Sequence, residues 1–207
     1  RDRLRSRGLG DVYKRQDARE SQQASELLHA ALHYPENLSE GRLPGQTDND
    51  IWFWQAICAN AQGDETEAMR CLRLAATGDR TINIHSYYND QPVDYLFWQG
   101  MALRLLGEQQ TAQQLFSEMK QWAQEMAKTS IEADFFAVSQ PDLLSLYGDL
   151  QQQHKEKCLM VAMLASAGLG EVAHYESARA ELTAINPAWP KAALFTTVMP
   201  FIFNYVH

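Results

Sequence analysis

The residues best equipped for chemistry form two aromatic and acidic clusters. Tyr87, Tyr88, Asn89, Asp90 and Asp94 make one, and Asp134, Phe135 and Phe136 the other. Rings beside carboxylates suit stacking on sugars, with the acids taking hydroxyl hydrogen bonds, and they equally suit a seam between packed helices. Packing is the favoured reading. Asp90, Asp94 and Asp134 would have to supply any carboxylate pair for glycoside hydrolysis. That chemistry needs a defined separation and one raised pKa, and sequence supplies neither. No catalytic residue is assigned, and the eight positions stand as a candidate ligand or partner surface.

Other suggestive spacings read as structural. His29 and His33 lie one helical turn apart and could share a metal, yet Ala30 replaces the Glu of an HExxH zinc helix, so solvated histidines are expected. Cys58, Cys71 and Cys158 lack C-x2-C spacing and fall on or near apolar stripes, which predicts buried, reduced thiols. Gly168-x-Gly170-x-x-Ala173 has the letters of a dinucleotide fingerprint. A helical pattern precedes it where a strand is required, and no acid lies near position 190. Gly170 reads as the turn between paired helices. Ser139-Gln140-Pro141-Asp142 reads as a helix start with its acid facing free backbone donors, and Pro92 with Asp94 reads the same way. No P-loop and no G-x-S-x-G elbow is found. Neither a cofactor nor a metal is expected.

The elements that carry these residues are helices. From residue 17 onward the apolar period is helical, and alternating runs of Val, Ile and Thr are missing. Trp52, Ala56, Ala59, Gly63, Ala68, Leu72 and Ala75 fill the positions of a tetratricopeptide unit, and Leu96, Gly100, Leu103, Gly107, Ala112, Phe116 and Met119 fill them again 44 residues later. Small residues at the crossings have a mechanical reason, because helices packed at about 8 to 10 Å tolerate Gly or Ala there. Leu159, Met163, Ser166 and Gly170 begin a third unit, continued by Ala178 and Leu182 after about three extra turn residues and closed by Pro187. Ala24, Leu28, Ala31 and Pro35 match a second helix alone, whose missing partner would fall near residues 6 to 18.

The expected fold is therefore all-α, a tetratricopeptide-like α-solenoid of about three helix-hairpin repeats with insertions. Turn glycines 44 and 63 residues apart exceed the repeat length of about 34. Arg80–Pro92 and Thr129–Leu150 are the insertions, and both aromatic clusters sit at them.

Composition limits the partners. The 26 acidic and 18 basic residues give −8, a charge that cannot neutralise many phosphates, so nucleic acid is not expected. At 45% hydrophobic and 10% aromatic the chain is too apolar for disorder, and no apolar run reaches the roughly 20 residues of a membrane span. Residues 1–16 differ from the rest, with six basic residues against two acidic ones and two helix-breaking glycines. They resemble a translated adapter or linker read, and the expectation is a non-native or disordered segment ahead of a C-terminal fragment. The helical repeats are expected over 17–191 and a capping tail over 192–207.

HYPENLSEGRL (33–43), YYNDQPVDYLFWQGMALRLLGE (87–108) and DFFAVSQPDLLSLYGDL (134–150) resemble the C-terminal tetratricopeptide-like region of large bacterial proteins in the family called domain of unknown function 5107. The likeness covers about residues 24 to 187. It implies an upstream β-sandwich resembling carbohydrate-handling domains, so sugar chemistry would reside mostly outside this chain. The resulting expectation is a cytoplasmic scaffold or interaction module that binds a protein or packs on its own N-terminal domains. The alternative is an accessory part of a carbohydrate-active enzyme.

Overall fold

The computed structural model describes residues 20–33, 47–82, 93–131 and 149–189, together with Phe195, Val198, Met199, Ile202 and Phe203. Within them the chain is all-helical. Helix α1 covers 20–31. It is followed by α2 (Asn49–Ala61), α3 (Glu65–Ala75), α4 (Tyr95–Leu105), α5 (Gln109–Met126), α6 (Leu150–Gly168) and α7 (Val172–Ile185). No helix among the described residues is long and apolar enough to cross a membrane.

Six of these helices form three hairpins with one turn chemistry. Gln62-Gly63-Asp64, Leu106-Gly107-Glu108 and Leu169-Gly170-Glu171 are the connections, and their glycines take φ of 81°, 87° and 76°. That left-handed geometry is open to Gly at little cost. In each turn the acid's N–H reaches back five residues to a helix carbonyl: Asp64 to Ala59, Glu108 to Leu103, Glu171 to Ser166. The glycine N–H bonds the carbonyl three residues back, which completes a Schellman cap. The same acid then precedes the next helix, and the Asp64 carboxylate accepts from the Glu67 N–H at 2.9 Å.

This corrects one expectation. The third turn contains no extra residues. Counted from its glycine, Tyr175 takes the place that Ala68 and Ala112 hold in the other hairpins, and Met163 takes that of Ala56 and Gly100. A large pair thus replaces a small pair where α6 crosses α7, and Ala178 is only half-buried.

Each hairpin's helices pack on one another, and the hairpins also touch in sequence: α3 and α2 meet α4, while α5 and α4 meet α6. Helix α4 lies at the centre and is buried from Leu96 to Leu103 without interruption. A helix covered on every side must be apolar all round, and YLFWQGMALRL is nearly so. Phe116 of α5 is fully buried between two glycines. A Cβ added at Gly100 would stand 2.4 Å from its ring, and one at Gly168 also 2.4 Å. Both glycines are therefore packing requirements that bring α4 and α6 against the same ring.

Polar side chains tie the hairpins together where backbone groups run out. Asn49 donates to the carbonyls of Ala75 (2.7 Å) and Thr77 (2.8 Å), and Gln99 donates to Thr77 (2.7 Å), so the end of α3 is capped from α2 and α4. Arg104 donates to the last carbonyl of α6, at Gly168 (2.7 Å), with its guanidinium 5.7 Å from the Phe116 ring centre. Helix α1 is held by a reciprocal pair: the Ser25 hydroxyl donates to Gln55 Oε1, and Gln55 Nε2 donates to the Ser25 carbonyl, both at 2.8 Å. Its apolar stripe is less covered than its period predicts. Leu27 is 73% exposed.

Candidate functional site

A shallow surface groove lies at the described start of the first insertion. Asp79, Arg80, Thr81 and Ile82 form one wall, and Glu118, Gln121, Trp122 and Glu125 of α5 the other, around an open volume of about 460 Å³. Spacings of three, four and seven residues bring the α5 members to one side of the helix. The indole of Trp122 is half-buried against the core, which fixes the ring while leaving part of it to the groove. Glu118 accepts from Gln114 and Glu125 from Gln121, each at 2.8 Å. On the opposite wall the Asp79 carboxylate accepts from the Thr81 N–H (3.0 Å) and hydroxyl (2.9 Å). Those bonds hold its pKa below the ordinary carboxylate value. An indole with carboxylates, a carboxamide and a guanidinium offers a stacking plate and hydrogen-bonding groups of both senses.

Of the eight sequence candidates, Asp94 alone falls on described residues. It is buried at 7% exposure directly before α4, and its side chain makes no capping bond to that helix. It does not line the groove. Tyr87, Tyr88, Asn89, Asp90, Asp134, Phe135 and Phe136 lie outside the described residues, as does the Ser139–Asp142 tract. The groove residues were missed because the sequence reading followed the tetratricopeptide positions of α5, Ala112, Phe116 and Met119, and not its outward face. Glu118, Gln121 and Glu125 sharing one face with Trp122 was the available signal.

A second opening, of about 430 Å³, lies between the end of α5 and helices α6 and α7. His154 and Cys158, one turn apart on α6, are buried there. His154 Nε2 lies 2.8 Å from the Met126 carbonyl, an acceptor that places the ring proton on Nε2. Cys158 Sγ stands 3.8 Å from Nε2 and 4.0 Å from Nδ1. Proximity alone does not make a nucleophile. Burial pushes the Cys158 thiol above its ordinary pKa, so the thiolate is disfavoured, and the imidazole serves to cap α5. Lys155 and Glu181 pair at 2.8 Å across the rim.

Cys58 and Cys71 are buried free thiols as well, and Cys71 is pushed up to about 12, chiefly by burial. His29 and His33 are exposed, with ring centres 5.1 Å apart. Among the described residues no three His, Cys, Asp or Glu side chains converge as metal ligands. The fingerprint-like glycines are accounted for by geometry: Gly168 is the last residue of a helix and abuts Phe116, and Gly170 is the turn.

No protein-family model matches the chain. No solved structure matches it either.

Proposed function

We propose that this chain is a tetratricopeptide-like helical-repeat module, the C-terminal part of a larger bacterial protein. It works by binding a protein partner or by packing on N-terminal domains of its own parent. The observation that carries this reading is the chained packing of three hairpins with identical turns, each adding its first helix to the one before. Such an arrangement builds one continuous core from units that cannot bury their apolar faces singly. We place the module in the cytoplasm, a setting in which three unpaired thiols stay reduced.

The test is incubation of the isolated chain with a panel of oligosaccharides, with and without inorganic phosphate. The expected result is no hydrolysis and no phosphorolysis. Turnover above a blank, lost on Trp122→Ala, would sink the module reading.

A second reading is favoured by the groove. Trp122 beside Glu118, Glu125 and Arg80 is a chemistry that holds sugar rings, and it borders the first insertion. In this reading the module completes a carbohydrate-active site whose catalytic domain lies upstream. Affinity electrophoresis in gels containing soluble polysaccharide checks it. Retardation of the chain that Trp122→Ala abolishes supports the idea, and equal mobility of parent and variant refutes it.

A further inference from the structure

We draw no further inference here: the strongest candidate, the groove between Asp79–Ile82 and the outward face of α5, where Glu118 and Glu125 flank Trp122, belongs to the site already described, and nothing among the described residues beyond its acids and one ring shows what covers it.

Discussion

Side chains that meet no water decide most of what this molecule does as a material. Phe116 is the sharpest case, since it fits because two glycines leave room for it. Gly100→Ala and Gly168→Ala should each destabilise the protein by about 1–3 kcal/mol through overpacking. Phe116→Leu should lessen the cost of either, a non-additivity measured by urea denaturation of single and double variants. Cys71 and Tyr175 set the response to alkali. Burial holds each up to about 12, against ordinary values of 9.0 and 10.0. The unfolded chain therefore releases these protons first. Their contribution to stability is complete below about pH 9 and declines as pH climbs toward 12. The thermal midpoint should fall over that interval, and Tyr175→Phe should flatten the fall between pH 10 and 12. Ellman's reagent should find none of the three thiols readily reactive in the folded chain and all of them in urea.

At the scale of helices, two kinds of glycine can be told apart by experiment. Gly107 has φ of 87° with open space around a notional Cβ, so Gly107→Ala carries a backbone penalty of about 1–2 kcal/mol and no clash. Replacing the Asp64 cap with Ala should cost about 1 kcal/mol, seen as a lower denaturation midpoint. The sequence displayed these turns openly, because a glycine followed by an acid recurs with the correct offsets to small residues on either side. It displayed burial less well. Phe53 and Trp98 fall outside the tetratricopeptide positions read for their helices yet are buried, because α2 and α4 have neighbours on more than one side and a one-sided pattern cannot register them. Tyr175 was missed for another reason: a supposed longer turn moved attention to Ala178. Trp52, expected to face neighbours, is half-buried with the Arg70 guanidinium 5.4 Å above its ring.

For the molecule as a whole, the all-helical class was legible from periodicity alone, while the surface of interest was not. Seven of eight candidate residues lie in insertions, where no periodic pattern constrains position. The groove at Asp79–Ile82 and α5 emerged because α5 is regular enough to fix its outward face. Stacking also makes a collective prediction. Because Phe116 and Arg104 join the second hairpin to the third, Arg104→Ala should loosen α6 more than α2, as mapped by residue-resolved proteolysis. The three tight connections carry one more consequence. In each, a single acid finishes one helix and begins the next, so there is no slack to absorb an added residue. One insertion there would turn the following helix by about 100° about its axis and swing its greasy side outward. Growth in chain length is tolerated only between hairpins, which is where the connections 76–94 and 127–149 are found.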